Sequence, residues 1–334
     1  MNFRDIIYRQ INEKIIHGCV LMAGQGSNIS FFEAFGQARA GIAIQLDSIF
    51  DLASVTKVLA TASACAICFD RNILDYEKPL VEYLPELNGK ISTKVNLRNL
   101  LTHISGLAFT NFTADSKEPE ELFSTVYQFT EPAKEWRYSC LEYIIAGLIV
   151  ERVSGEPFRN FVEKNILLPI GMNETAWGPI QCTDRVTEAI CPEPGQISDG
   201  NAYFMSRQGR YIGNAGLFST AMDMSKFCQA ILNINNKVFS ERALAKLTLN
   251  AIPDPEMQNH SLGWSMDRDF IPNWMSENTI FHSGWTGNSI WVDPATMSWF
   301  IFLGARYGDY DKAKATRLQI ANGFNVHNGS IVPL

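Results

Sequence analysis

Apolar and polar positions follow different periods in different parts of the chain. Near the amino terminus, two short runs of β-forming residues, 19–23 and 29–35, are separated by a glycine-rich turn, which predicts an opening helix followed by a β-hairpin. After Ser54, apolar residues recur at intervals of three and four positions as far as Phe69. This spacing predicts a helix of about four turns that is buried on most sides.

Helical patterns and loops alternate through the middle of the chain, from Leu74 to about Arg207. The predicted helices of this region are 97–102, 118–129, 141–153 and 157–168. The last third changes to strands. A helix at 221–232 precedes β-type runs at 261–266, 278–282, 289–292 and 298–303, and a closing helix spans about 311–324.

Strands at both ends of the chain and helices between them predict an α+β fold. We expect a mostly antiparallel sheet that is built from both termini and flanked by helices, with an all-α subdomain inserted into it. The sheet domain would comprise residues 1–73 and 208–334, and the helical subdomain residues 74–207. A catalytic cleft would lie between the two parts.

Composition narrows the classes of function. The chain has 334 residues, of which 46% are hydrophobic and 19% charged, and this is typical of a globular protein with a large core. The net charge of -7, with no basic stripe, argues against nucleic acid as a partner. No uninterrupted apolar run is long enough for a membrane, the first residues carry charges, and most cysteines sit in apolar stretches. We therefore expect a cytoplasmic protein with reduced thiols and no membrane partner.

Ser54 and Lys57 stand one helical turn apart at the start of the apolar helix. Residues three apart share a helix face, so Ser54 Oγ and Lys57 Nζ can meet there. Helix amino-terminal amides and apolar surroundings disfavour a cation, so Lys57 should be easier to deprotonate than a free lysine and able to take the serine proton. A capping serine on a surface helix would give the same spacing, but the apolar context favours a nucleophile.

Two further elements carry candidate chemistry. Tyr138 would occupy a tight turn just before the apolar helix at 141–153. The stretch "FHSGWTG", residues 281–287, ends a β-type run, and its small or polar positions are His282, Ser283 and Gly284. Small residues on an edge strand let a substrate pair with the backbone, and the Trp285 amide could then act as an oxyanion donor beside that of Ser54.

At these three elements the sequence resembles the serine β-lactamase and penicillin-binding protein superfamily. Within it, the chain is similar to the branch of class C β-lactamases, D-alanyl-D-alanine peptidases and family VIII esterases. The stretches "LRNLLTHISGL" at 97–107 and "NAGLFSTAMDMSKF" at 214–227 are similar to this branch as well. The likeness runs from about Ser48 to Leu303, with the motifs in the same order.

The resemblance implies roles for individual residues. Ser54 would be the acylated nucleophile, Lys57 its proton partner, and Tyr138 the residue that passes the proton to the leaving group. We expect the pKa of Tyr138 to be lowered from about 10 by a cationic Lys57, and which of the two holds the proton is open. The implied substrate and oxyanion positions are His282, Ser283, Gly284, Trp285 and Cys140. No metal ion or organic cofactor is implied.

Two positions depart from the pattern of the branch. Cys140 stands where many relatives have Asn or Asp, and a thiol is a poor hydrogen-bond donor and acceptor. His282 replaces the lysine of the antibiotic-hydrolysing members, and with an ordinary pKa near 6.5 it would be mostly neutral at pH 7. Both changes weaken the recognition expected of an efficient β-lactamase and favour esterase or amidase action on a less acidic substrate.

The sequence therefore predicts a serine hydrolase that acts through an acyl-enzyme on a small ester, amide or β-lactam-like substrate. Esterase-type activity with weak or no β-lactamase activity is favoured. One alternative is a D-amino-acid peptidase or class C-type β-lactamase, and another is a binding module whose site has drifted. The oligomeric state is not predicted.

Several other residues are given structural interpretations. Cys65 and Cys68 form a C-x-x-C inside the apolar helix and are expected to be core residues. His103 is expected to be a hydrogen-bonded structural histidine behind the cleft. Asp199 and Asn201 are interpreted as turn formers in a loop that could reach the cleft. Trp136 could line the substrate site or fill the core.

Overall fold

The computed structural model describes residues 2–109, 112, 115–190, 193–252, 254, 256–327 and 329–334. The strands are β1 (Ile16–Gln25), β2 (Asn28–Arg39), β3 (Ile42–Ala43), β4 (Phe50–Asp51), β5 (Leu107–Ala108), β6 (Tyr127–Gln128), β7 (Ala176–Trp177), β8 (Leu217–Ser219), β9 (Ile280–Ser283), β10 (Ser289–Asp293), β11 (Ser298–Arg306), β12 (Phe324–His327) and β13 (Ser330–Pro333). The α-helices are α1 (Phe3–Asn12), α2 (Ser63–Asp70), α3 (Leu80–Tyr83), α4 (Leu97–Leu101), α5 (Cys140–Ser154), α6 (Phe158–Val162), α7 (Leu168–Ile170), α8 (Gly200–Ser206), α9 (Ala221–Ile231), α10 (Glu241–Thr248) and α11 (Tyr310–Ala321).

The main sheet joins the two ends of the chain. Its six strands are antiparallel in the order β3-β2-β1-β11-β10-β9. The amino-terminal hairpin meets the carboxy-terminal strands where β1 pairs with β11, with Val20 opposite Leu303. One face carries the larger core, which includes the buried helix that follows Ser54. The other face is covered by α1 and α11. The predicted α+β fold with a largely antiparallel sheet is confirmed.

The helical segment Ala53–Asp70 runs through the larger core. It begins as a 3-10 turn at Ala53–Val55, continues as a π-helix at Lys57–Ala62 and ends as α2. By length and composition alone this segment of 18 residues could cross a membrane, a property that was not recognised from the sequence. Because 83% of it is buried inside the protein, it is explained as a core helix.

Two predicted elements differ from the structure. Residues 118–129 form a 3-10 helix at Pro119–Ser124 and then β6, which pairs with β5, instead of one helix. Residues 261–266 form only isolated bridges. There Gly263 has a φ of +117°, and a Cβ at this position would lie 2.5 Å from Ala62 Cβ. The backbone bends at Gly263 in a left-handed conformation and approaches the core helix too closely for a regular strand.

Other elements follow the sequence prediction more closely. The amino-terminal helix and hairpin, the helix at 141–153 and the three strands that end at Leu303 are present. The prediction missed α10 and the hairpin of β12 and β13 after the last helix. The boundaries of the proposed sheet domain and helical subdomain stay a prediction.

Candidate active site

The chain adopts a strained conformation directly before Ser54. Ala53 has a φ of +46°, in the left-handed region that residues with a Cβ avoid. Its N–H donates to Asp51 Oδ1 at 2.8 Å. The carbonyl of Asp51 accepts hydrogen bonds from Thr286 Oγ1 at 2.6 Å and from Asn288 Nδ2 at 2.7 Å. Such strain costs on the order of 1–3 kcal/mol and persists only where the surroundings enforce it, as these contacts do.

Ser54, Lys57 and Tyr138 meet at one oxygen atom. Lys57 Nζ donates to Ser54 Oγ at 3.0 Å, and the Tyr138 hydroxyl donates to the same oxygen at 2.8 Å. Lys57 Nζ also donates to the carbonyl of Asn214 at 2.9 Å and lies 3.4 Å from Cys140 Sγ. The structure thus brings together four of the residues selected from the sequence. The two separations that end at Ser54 Oγ suit proton transfer to or from this atom.

The pKa of Lys57 is raised, which is the opposite of the sequence expectation. Burial lowers this pKa, but the electrostatic interactions with Cys140 and Tyr138 and the hydrogen bond with Tyr138 raise it by more. The Lys57 ammonium also donates to the carbonyl of Asn214, which lies outside the helix of Lys57. Lys57 therefore carries its proton at neutral pH.

The pKa of Tyr138 is also raised, so the expected lowering was wrong. Burial of the hydroxyl raises it, and the nearby Lys57 ammonium lowers it by a smaller amount. Both partners of Ser54 are consequently protonated near pH 7. When Lys57 and Tyr138 together lose one proton, the pair becomes a base for the proton of Ser54. Because the two groups are coupled, the pKa of this loss describes the pair and not either residue alone.

These two shifts predict an alkaline activity profile. Both pKa values lie above their usual values of 10.5 and 10.0, so the fraction of enzyme with a free base rises as the pH rises. We expect kcat/KM for an uncharged ester to increase by up to about tenfold per pH unit between pH 6 and 9. The measurement is a series of initial rates, corrected for spontaneous hydrolysis. A plateau that begins below pH 7 would contradict a protonated Lys57 and Tyr138 at neutral pH.

The strand residues predicted to face the substrate lie on β9, which is an edge strand of the main sheet. Gly284 follows β9 and packs closely against the backbone that precedes Ser54, because a Cβ on it would lie 2.6 Å from the carbonyl oxygen of Leu52. The Trp285 amide forms no hydrogen bond within the described part of the chain. This free N–H is consistent with the oxyanion role, which stays a prediction together with the other site assignments.

His282 is neutral in the cleft. Burial lowers its pKa well below the ordinary 6.5, and the positive charge of Lys57 lowers it further. Its Nδ1–H donates to the Ser283 carbonyl at 3.0 Å. The sequence predicts an ordinary pKa near 6.5 for His282. The lower pKa in the structure strengthens the conclusion that His282 is uncharged at pH 7. His282 supplies no positive charge for a substrate carboxylate.

A buried pair of His103 and Glu142 lies beneath Tyr138. Burial raises the pKa of Glu142 well above its usual value and lowers that of His103 to about 3, which places the shared proton on Glu142. Ser105 donates to the other Glu142 oxygen. The His103 ring packs against the Tyr138 ring with centroids 4.7 Å apart. His103 is hydrogen-bonded, as expected, but its ring also forms part of the cleft wall.

Two chambers meet at Ser54. The larger chamber, of about 320 Å³, is lined by Ser54, His103, Trp136, Tyr138, Gln258, His260, Ser265, Asp267, Phe270, Phe281, His282, Ser283, Trp285, Tyr310 and Lys314. The smaller chamber, of about 220 Å³, is lined by Ala53, Ser54, Ser198, Asp199, Gly200, Ala215 and Trp285. Trp136 therefore lines the cleft. Asp199, interpreted from the sequence as a turn former, caps α8 and also faces this site.

Three residues in or behind the cleft were not predicted from the sequence. Lys314 and Asp267 line the larger chamber, Glu142 is buried beside His103, and no motif in the sequence marks them. Among the described residues, no group of three or more His, Cys, Asp or Glu side chains is placed so that it could hold a metal ion. Cys65 and Cys68 are free and buried. These cysteines are core residues.

Comparison with known proteins gives a consistent result. The model of the family described as Beta-lactamase matches residues 3–323. A putative D-alanyl-D-alanine carboxypeptidase of Salmonella schwarzengrund is 28% identical over 311 residues, which cover 78% of this chain and 70% of the relative.

Solved structures show the same fold at low sequence identity. The β-lactamase/D-alanine carboxypeptidase of Pseudomonas syringae has a TM-score of 0.76 and 15% identity, covering 95% of this chain and 97% of the other. EstCE1, a hydrolase with promiscuous acyltransferase activity, has a TM-score of 0.77 and 16% identity, covering 96% of this chain and 97% of the other.

Proposed function

The chain belongs to the Beta-lactamase family of serine hydrolases, and from that premise we propose that it is a carboxylesterase that works through an acyl-enzyme at Ser54. The observation that supports this choice is the charge of the cleft beside the nucleophile. His282 is neutral there, so the strand that would hold a substrate carboxylate has no cation to offer. An uncharged ester needs no such cation.

The reaction follows from the contacts of Ser54. Once the pair of Lys57 and Tyr138 has lost a proton, it accepts the proton of Ser54 as Oγ attacks the ester carbonyl. The amides of Ser54 and Trp285 would hold the oxyanion. The Tyr138 hydroxyl then gives a proton to the departing alcohol as the carbon–oxygen bond breaks. Water, activated by the same pair, attacks the acyl-enzyme and releases the acid.

A second candidate is a peptidase or β-lactamase that acts on a substrate with a carboxylate. Lys314 favours it, because this side chain lines the larger chamber and makes no ion pair with any described residue. Its ammonium lies 3.8 Å from the centre of the Phe270 ring. The name of the Salmonella relative, a putative D-alanyl-D-alanine carboxypeptidase, points to the same class. Lys314 lies on α11 and not on β9, the strand expected to pair with the substrate, so we place this candidate second.

One comparison of substrates tests the choice. We expect p-nitrophenyl butyrate to be hydrolysed with a kcat/KM at least 100-fold above that of nitrocefin or of a D-alanyl-D-alanine peptide, since both of these carry a carboxylate. A fluorophosphonate probe should add one covalent mass to the native protein. A preference for nitrocefin or the peptide would replace the esterase with the second candidate. Failure to label, while a known serine hydrolase labels in the same tube, would indicate a binding module.

A further inference from the structure

The two chambers that meet at Ser54 differ in chemistry. The large apolar side chains of the larger chamber are Trp136, Phe270, Phe281, Trp285 and Tyr310. The smaller chamber has only Trp285 of this kind, and its other lining residues are small or polar. One of these is Asp199, a carboxylate. A substrate that spans Ser54 therefore places an apolar part on one side and a small polar part on the other.

The position of Tyr138 decides which part of the substrate lies on which side. Tyr138 lines the larger chamber and not the smaller one. In the proposed esterase reaction its hydroxyl, 2.8 Å from Ser54 Oγ, protonates the departing alcohol. The alcohol must therefore leave through the larger chamber. The acyl group, which stays on Ser54, lies in the smaller chamber.

The smaller chamber is electronegative. Asp199 makes no ion pair among the described residues, and no Lys, Arg or His side chain lines this chamber. Its negative charge reaches Lys57, because it adds to the larger contributions of Cys140 and Tyr138 that raise the pKa of this lysine. An ammonium group of a substrate in this chamber would give the Asp199 carboxylate the opposite charge that the lining residues do not supply.

We propose that the smaller chamber selects acyl groups that carry an ammonium, so that the preferred substrates are aminoacyl esters of aromatic alcohols. This inference rests on the proposed esterase function and adds its substrate class. Ser54 Oγ bonds to the aminoacyl carbonyl, the bond to the aromatic alcohol breaks, and water then releases the free amino acid. Asp199 pairs with the ammonium throughout and takes no part in the proton transfers.

Three 2-naphthyl esters of equal chain length test the proposal. The β-alaninate ends in an ammonium, the butyrate in a methyl group, and the succinate in a carboxylate. After correction for spontaneous hydrolysis, we expect kcat/KM at pH 7.5 to be at least tenfold higher for the β-alaninate than for the butyrate, and lowest for the succinate. Equal rates for the β-alaninate and the butyrate, or the reverse order, would overturn the proposal.

The variant Asp199→Asn tests whether Asp199 causes the preference for an ester whose acyl group carries an ammonium. Asp199 Oδ1 accepts the Ala202 N–H at 2.8 Å as the cap of α8, and Asn caps helices equally well, so only the charge is lost. We expect the ratio of β-alaninate to butyrate kcat/KM to fall at least fivefold in this variant. In Asp267→Asn, which removes a carboxylate from the larger chamber, the ratio should stay within twofold of the wild type.

The outcomes separate this proposal from the proposed function. If Asp267→Asn lowers the ratio and Asp199→Asn does not, the acyl group lies in the larger chamber and the proposal is wrong. If the butyrate is hydrolysed and the protein is labelled but the ratio is one, the esterase function stands and only the substrate class fails. If no ester is hydrolysed and Ser54 takes no label, both fail together.

Discussion

Ser54→Ala is expected to lower kcat for 2-naphthyl butyrate by about 10⁴-fold or more and to abolish labelling by a fluorophosphonate. The reason is that Ser54 Oγ is the atom on which the two protonated partners converge, at 3.0 Å from Lys57 Nζ and 2.8 Å from the Tyr138 hydroxyl. Removal of this oxygen leaves Lys57 and Tyr138 in place but takes away the atom that becomes acylated. Initial rates and intact mass after labelling measure the effect.

A neighbouring serine provides the matched control. Ser139 precedes α5 directly, and its hydroxyl makes no capping hydrogen bond. Ser139→Ala should therefore keep both the label and a rate within a few-fold of the wild type. If Ser54→Ala keeps its label, another nucleophile is at work. Cys140, whose sulfur lies 3.4 Å from Lys57 Nζ, would then be the first residue to examine.

Glu142→Ala is expected to cause the largest loss of stability, about 3 kcal/mol in the free energy of unfolding. The carboxyl group is 2% exposed and is the partner of both His103 Nδ1 and the Ser105 hydroxyl. Its removal leaves these groups buried without a partner and opens a cavity. Urea denaturation at pH 7 measures the loss. We also expect a lower kcat, because His103 supports the ring of Tyr138.

Glu142→Gln tests whether the buried pair of Glu142 and His103 is neutral or ionic. Because the pKa of Glu142 is raised well above 4.5, the native protein holds the carboxyl protonated, and a glutamine amide can replace it as donor to His103 and acceptor from Ser105. We expect this variant to lose less than about 1 kcal/mol at pH 7. A loss as large as that of Glu142→Ala would mean that the pair is a carboxylate with an imidazolium.

The same pair gives a pH dependence of stability. The folded wild type keeps the Glu142 proton above pH 4.5, where the unfolded chain releases it, so this group's contribution to stability falls as the pH rises. Glutamine does not titrate. The stability of Glu142→Gln relative to the wild type should therefore increase as the pH rises above 4.5, by up to about 1.4 kcal/mol per pH unit. Unfolding curves at four pH values are sufficient, and a constant difference would contradict the raised pKa.

Prediction from the sequence succeeds where the relevant geometry is local. Ser54 and Lys57 lie three positions apart on one helix, so their spacing alone predicts that their side chains can meet, and they do. The hairpin of β1 and β2 is likewise fixed by a short turn between two apolar runs. Tyr138 is 84 residues from Ser54. Its place before an apolar helix made it a candidate, but only the resemblance to a family position gave it a role beside Ser54.

The errors share one physical origin, which is contact between distant parts of the chain. The pKa of Lys57 was predicted with the wrong sign because the effect of burial is outweighed by interactions with Cys140, 83 positions away, and with Tyr138. Glu142 was missed because nothing in the sequence links it to His103, 39 positions earlier. The β-type pattern at 261–266 gave no sign that the backbone would bend at Gly263 against Ala62.

The cytoplasmic location and the two domain boundaries stay predictions. So do the individual roles of the site residues, although Ser54, Lys57, Tyr138 and Cys140 do lie within contact distance of one another. The labelling and substitution experiments address these roles directly.

The pairing of β1 with β11 has a consequence for when the chain can fold during its synthesis on the ribosome. Val20 finds its partner Leu303 only after residues 21–302 have been translated, and β10 and β9 join the sheet through β11. Such distant pairing makes folding slow. A nascent chain that ends before β11 would expose the edge of β1 and lack the β9 side of the cleft, so hydrolytic activity should appear only after β11 has been translated.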